Sequence, residues 1–482
     1  MSNRTETTRP GNSDPSSSNG CCTNSSEAQT LPTNFLRAQT RPYSEDEDWD
    51  KNVLSSSGAN FSFIDIPRAR NLGLGIGNEI IDICALLAGI LSTREKYTKF
   101  LSYRGDVAQD VLDLLQKLLD HAPLEPRFHM VIKVALVRLS RKSELYPRCF
   151  TVDGVIKKEE YPQSAGNFGD VYQAYHNGQP ICLKICRLYQ HSDQSLLSKI
   201  FYREVIIWGQ LFHPNVLPFY GIHRLGDFRN SLCLVSPWIS SGNIRDFLSE
   251  KPYVDRIPLI CDVAGGMEYL HMNGVVHGDL KSTNILVTNF ERACLTDFGI
   301  SYISNNTALM GHALSSNYDP SRASFEAPEL IDLDAEYSEK TQASDVYAFG
   351  MVCFEVQQFL MQVETLTTMQ NQILTGERPF GNSGPMLVYQ KTVRGEGPSR
   401  PTDVKCLEFG LTDDLWALME KCWSLFPQDR PSATQITRCL PHVKERTTDQ
   451  WTRFQRPDFD TTSGHADETI AKAFPHLQRL LV

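Results

Sequence analysis

The sequence predicts an α+β fold with two unequal lobes and a cleft between them, and three observations carry that reading. After Phe150, short apolar runs such as "PICLKIC" and "LCLVSPW" alternate with glycines, the texture of a small sheet. From about Asp255 onward, apolar residues recur at helical spacing. A strand-rich segment followed by a helix-rich one segregates the two kinds of structure, and a cleft between such lobes is where a ligand would sit.

In chain order, residues 1–60 are rich in Ser, Thr, Asn and Pro and poor in apolar side chains. Such a segment cannot offset the entropy of ordering and is read as a disordered tail. Residues 71–146 form a helical region. "AQDVLDLLQKLLDHA" and "FHMVIKVALVRLSRKSE" repeat apolar positions at three and four residue steps, and Pro123 and Pro126 separate them. The apolar run Leu72 to Leu91 contains Glu79 and Asp82, which a membrane span tolerates poorly, so a packed amphipathic helix is expected. This region carries no chemical motif. It reads equally as a module that binds a protein partner or regulates the chain, and as a buttress on the small lobe. The main domain covers 155–445, with a small lobe at 155–238 and a helical lobe at 239–445. Residues 446–482 form a loose, polar C-terminal tail.

The bulk numbers exclude several function classes. A net charge of -10 over 482 residues argues against a nucleic-acid binder. The 13 Cys are scattered and odd in number, and the N-terminus lacks the apolar core of a secretory signal. A reducing, cytoplasmic setting with free thiols is expected, with no membrane association. No Cys/His set has zinc spacing.

Chemistry concentrates in four places. In "SAGNFGDVYQAY", Gly166 and Gly169 suit a turn that brings backbone N–H groups close to phosphate oxygens, although an ordinary Gly-containing hairpin reads as well from this segment alone. Lys184, in "ICLK", puts an ammonium on an apolar strand, where it needs an acidic partner; Glu204 in "FYREVIIWGQL" is the candidate. "VVHGDLKSTNILV" packs His277, Asp279, Lys281 and Asn284 between apolar runs, and "LTDFG" adds Asp297.

Together these match the order of the protein-kinase signatures, and the chain resembles a eukaryotic protein kinase from Tyr161 to about Leu440. "APE" at Ala327 to Glu329, "SDVYAFG" at Ser344 to Gly350 and "CWSLFPQDRPS" around Arg430 agree. "HPNVLPFYG" and "SSGNIRDFL" resemble the tyrosine-kinase-like group, which mostly phosphorylates Ser and Thr; "HGDLKSTNIL" with its helical preface resembles kinase-like proteins of mushroom-forming fungi. The resemblance implies a bilobal protein kinase fold, ATP and Mg²⁺, and a protein substrate. Phosphoryl transfer needs positioning and charge neutralisation more than covalent work. By resemblance, Asp279 orients the substrate hydroxyl, Lys281 balances charge on the moving group, and Asn284 and Asp297 hold Mg²⁺. Lys184, steadied by Glu204, grips the phosphates. Gly166, Gly169, Val171, Cys182, Ser236, Pro237, Ile239, Asn243 and Leu286 surround the nucleotide, with Ser236 as gatekeeper and the Ile239 N–H as the adenine donor. His277 packs beneath Phe298, and Arg430 pairs with Glu329.

Departures from the family pattern matter. Gly278 replaces the Arg that in many kinases pairs with a phosphorylated activation segment, so activation through that Arg is expected to be absent. Ser164 stands for the first loop Gly, Cys182 for the Ala over adenine, and Arg322 for the Thr before "APE". Residues 357–373 insert about 17 residues into a normally short connection, read as a helical extension or a retained intron. The competing function is a pseudokinase scaffold acting through protein binding. Survival of Lys184, Asp279, Asn284 and Asp297 favours catalysis.

Overall fold

The computed structural model describes residues 78–158, 161–166, 169–186, 194–225, 232–298, 323–331, 340–358, 379–380, 383–401, 408–444, 446–447, 449 and 468–481. The chain divides into units 1–48 and 49–482, and every described residue lies in the second. The expected tail 1–60, Arg322, Trp451, Phe454 and positions 359–373 of the expected insertion lie outside the described residues.

Apolar periodicity becomes buried helix faces in the N-terminal region. α1 (Asn78–Leu91) and α2 (Arg94–Leu101) precede α3 (Gly105–His121), which buries Val111, Leu112, Leu115 and Leu118. α4 (Pro126–Ser143) starts on a proline, whose missing N–H would have been unpaired in the first turn. The Glu125 carboxylate caps it, accepting from the Arg127 and Phe128 N–H groups.

The small lobe is one antiparallel sheet and a helix. It comprises β1 (Ile156–Lys157), β2 (Ser164–Gly166), β3 (Gly169–His176), β4 (Gln179–Cys186), α5 (Gln194–Gly209), β5 (Gly221–Arg224) and β6 (Leu232–Pro237). The strand order is β1-β3-β4-β6-β5, with β2 also paired to β3. Asn177 and Gly178 join β3 to β4 with φ of 48° and 76°, the left-handed pair a tight hairpin needs. Strand alternation then sorts β4. Ile181 and Leu183 enter a core with Val152, Ala174 and Val235, while Cys182 and Lys184 face the other way.

The large lobe contains α6 (Ile244–Glu250), α7 (Ile257–Met272), the ribbon β7 (Ile285–Val287) with β8 (Ala293–Leu295), α8 (Gln342–Gln358), α9 (Pro385–Val393), α10 (Asp413–Cys422) and α11 (Ala433–Cys439). α8 is buried nearly all round, from Val346 to Phe354, which is why its sequence lacks an amphipathic stripe. Buried Arg256 fastens its end, donating to the Val356, Val254 and Pro252 carbonyls. Within the segment read as a tail, α12 (Glu468–Gln478) is a helix. Its Ile470, Ala473 and Leu477 are buried, and it packs on α1 and α3 of the N-terminal module. Among the described residues no helix is long and apolar enough to cross a membrane, and nine cysteines are free thiols.

Candidate active site

Several of the residues singled out in the sequence meet where the sheet faces the helical lobe: Lys184 of β4 pairs with Asp297, and Lys281 and Asn284 gather at Asp279. On the sheet side, register sets Lys184 opposite Val171 and Leu234, and Cys182 opposite buried Ser236. Burial pushes the Cys182 thiol up to about 11, against the opposing effects of the Lys184 charge and a Ser236 hydrogen bond, which keeps the thiol protonated near neutral pH. Gly166 pairs with Gly169 at the mouth of the β2–β3 hairpin; the two residues between them lie outside the described set. At the end of β6, Pro237 has no N–H to lose. Among the described residues the Ile239 N–H donates to no protein acceptor.

On the helical side, Asn243 caps α6, its side-chain oxygen accepting from the Arg245 and Asp246 N–H groups, and its backbone bridges to Leu286 on β7. The polar cluster follows. The Lys281 Nζ lies 3.2 Å from Asp279 Oδ2. Asn284 Nδ2 donates to the same oxygen at 3.0 Å and to the Asp279 carbonyl at 2.8 Å. Both amide donors are thus turned inward, so the Asn284 oxygen and the Asp297 carboxylate remain as hard donors. Across the cleft Lys184 Nζ donates to Asp297 Oδ1 at 2.5 Å. Burial raises the Asp297 carboxyl, but the charge and hydrogen bond of Lys184, with the His277 and Lys281 charges, together hold the group below the ordinary range. Asp297 sits at φ 60°, a left-handed conformation uncommon for a side-chain-bearing residue and typical of functional sites. Glu204, the expected partner of Lys184, lies on α5.

Two short-range groups hold this cluster still. Phe298 stands edge-on between His277, at 6.2 Å, and Trp208 of α5, at 5.6 Å. Burial pushes the His277 imidazole down, against the pull of the Asp345, Asp279 and Asp297 carboxylates, and its ring packs against Phe298. Asp345 of α8 accepts the His277 and Gly278 N–H groups at 2.7 and 2.8 Å and the His271 ring at 2.9 Å. Gly278 itself adopts φ 72°, and its carbonyl accepts from Lys340. Farther along, Arg430 makes two 2.7 Å bonds to the Glu329 carboxylate.

The family of protein tyrosine and serine/threonine kinases matches residues 162–440, more than half the chain. This chain belongs to the protein kinase family. The kinase is 28% identical over 289 residues to the serine/threonine/tyrosine-protein kinase HT1 of Arabidopsis thaliana, covering 58% of this chain and 65% of that one. It is 30% identical over 293 residues to a probable LIM domain-containing serine/threonine-protein kinase of Dictyostelium discoideum, covering 59% and 26%. A dual specificity protein kinase of Dictyostelium, shkC, is 29% identical over 286 residues, covering 58% and 49%. The kinase therefore spans less than two thirds of these relatives' length.

Sequence reasoning missed two features of this kinase site. Asp345 was legible only as part of "SDVYAFG", with nothing local to say that it supports the loop at His277, 68 residues earlier. Trp208 follows Glu204 by four residues, one helical turn, which places both on one face of α5 once the helix is assigned. The oxygen-only donor pair Asn284 and Asp297 suits Mg²⁺ that arrives with phosphate ligands; among the described residues no group of three or more His, Cys, Asp or Glu forms a metal site unaided.

Proposed function

We propose that this kinase transfers the γ-phosphoryl group of ATP to Ser or Thr hydroxyls of protein substrates without relying on an activation-segment phosphate. The observation that carries the reading is the Asp279 carboxylate held by Lys281 and Asn284, facing an Lys184–Asp297 pair across the cleft. Asp279 orients the acceptor hydroxyl and takes its proton as the oxygen attacks phosphorus. Lys281 offsets charge on the transferring oxygens, a role supported by its 3.2 Å approach to Asp279. Lys184 grips the phosphates, while the Asn284 oxygen and Asp297 would hold Mg²⁺, which neutralises phosphate charge when bound. Gly166 and Gly169 line the phosphate side, and Val171, Cys182, Ser236, Pro237, Ile239, Asn243 and Leu286 the adenine side.

The loop conformation supports independence from an activation-segment phosphate. Gly278 takes its left-handed φ without the penalty a side chain would bring, and Asp345 and Lys340 fasten its N–H and C=O. The test is Mg²⁺-dependent transfer of labelled phosphate from ATP to a generic basic protein, comparing the natural chain with Asp279→Asn, followed by phosphoamino-acid analysis. Label on Ser or Thr that vanishes in the variant supports the reading. A folded protein that binds ATP and transfers nothing identifies a pseudokinase scaffold.

A further inference from the structure

The helical module stands against the kinase's own α5. α4 runs along α5, and the connecting segment Tyr146–Val152 is fastened on both sides. On the module side, Gln109 Nε2 donates to the Tyr146 carbonyl at 3.0 Å, and Asp113 accepts from the Arg148 N–H at 2.7 Å and its guanidinium at 2.8 Å. On the kinase side, the Val152 N–H donates to Ile222 of β5 at 2.8 Å, and the Tyr146 ring lies 6.1 Å from Tyr202 of α5. α12, from the other end of the chain, closes the module, its His476 carbonyl accepting from the Tyr103 hydroxyl at 2.6 Å.

Phe150 is the centre of this joint. It is fully buried, edge-on to Phe219 at 5.6 Å, and Phe219 packs on Trp208 at 5.1 Å. Trp208 in turn meets Phe298, and Phe298 meets His277. An unbroken column of rings thus runs from the module to the catalytic loop. Two glycines make room for its outer end. A Cβ on Gly209, the last residue of α5, would lie 2.6 Å from Phe150 Cζ, and one on Gly221 would collide with the Phe150 carbonyl.

A second contact sits beside it. Gln210, one residue beyond α5, donates to buried Gln116 Oε1 of α3 at 2.7 Å. Gln116 Nε2 has no acceptor among the described residues, so this amide costs stability where Leu would add it. Such a polar pair in an apolar seam fixes register, as buried polar residues do between coiled-coil helices.

We propose that the module is a built-in clamp on α5, with Phe150 and the Gln116–Gln210 pair as positioning residues that hold Glu204 and the Phe298 column in working geometry, in the role that Gly278 denies to a phosphorylated activation segment. The proposal rests on the phosphotransfer reading for its kinetic arm only. The test uses the full chain with Phe150→Leu, Phe150→Ala and the double variant Gln116→Leu/Gln210→Leu. For each, melting temperature, hydrogen exchange of 194–209, affinity for a fluorescent ATP analogue with Mg²⁺, kcat and KM for ATP are measured. Phe150→Leu is expected to remain folded while α5 exchanges faster and kcat falls about tenfold or more, the scale of a small misplacement of reacting groups. The double Leu variant is expected to melt at or above the natural temperature and still lose kcat, a divergence that a merely structural contact does not produce. Phe150→Ala serves as the larger cavity, and its failure to fold leaves the other two variants to decide. Folded variants whose α5 exchange and nucleotide affinity match the natural chain overturn the clamp. Should the natural chain transfer no phosphate, the phosphotransfer reading falls, and exchange and nucleotide affinity still decide the clamp.

Discussion

Asp345→Asn isolates the support beneath the catalytic loop. The natural carboxylate is buried and accepts three donors: the His277 and Gly278 backbone N–H groups at 2.7 and 2.8 Å and the His271 ring at 2.9 Å. Asparagine keeps the shape but turns one acceptor into a donor, so one N–H is orphaned at a cost of about 1–3 kcal/mol. The remaining bonds lose their charge assistance, adding about 1 kcal/mol. The expected loss is about 2–4 kcal/mol, a large share of a domain stability of about 5–15 kcal/mol. The pH dependence has a definite sign. Burial raises the Asp345 carboxyl, but the hydrogen bond and charge of His271, with the loop amides, hold it below its ordinary value. Its stabilisation is therefore complete above the unfolded value of about 3.9 and is lost as pH falls through the lower folded value. Urea unfolding of both proteins at pH 7 and at steps down to about pH 3 measures this, and the gap should narrow only below about pH 4. A loss under about 1 kcal/mol at pH 7, or a gap indifferent to pH, refutes the reasoning.

Arg430→Met is expected to cost about 3–5 kcal/mol, because it leaves Glu329 without its two 2.7 Å bonds. The Ala343, Ser424 and Leu425 carbonyls lose a donor as well. A double-mutant cycle with Glu329→Gln, read by urea unfolding, should give clear coupling, and strict additivity contradicts the pairing. Lys133 of α4 is buried with no hydrogen bond or ion pair among the described residues, and burial pushes its ammonium down to about 8. Carrying the charge at neutral pH costs stability, so Lys133→Met should raise it by about 2–3 kcal/mol at pH 7. That gain is full below the folded value and fades as pH rises toward the unfolded value near 10.5; thermal melts at pH 7 and pH 10 compare the two, and an equal gain at both contradicts the burial argument.

The sequence by itself determined the two-lobed α+β fold class and the short-range pattern within its elements. Contiguous spacing was enough there. Asp279, Lys281 and Asn284 lie within six residues, alternation on β4 puts Cys182 and Lys184 on one face, and three- and four-residue steps mark α3 and α4. The Glu329–Arg430 pair was also legible, since both belong to motifs of one family. What the sequence did not convey was partnership between distant segments. Asp345 reaches back to His277, Phe150 enters a ring column with Phe219, and α12 returns from the C-terminus to close a module begun near residue 78. Local periodicity records which face of an element is apolar, but not which other apolar face covers it. Several helices could have covered α5 equally well by pattern. Only the packed structure chose the module, because glycines at 209 and 221 open a space that Phe150 fills.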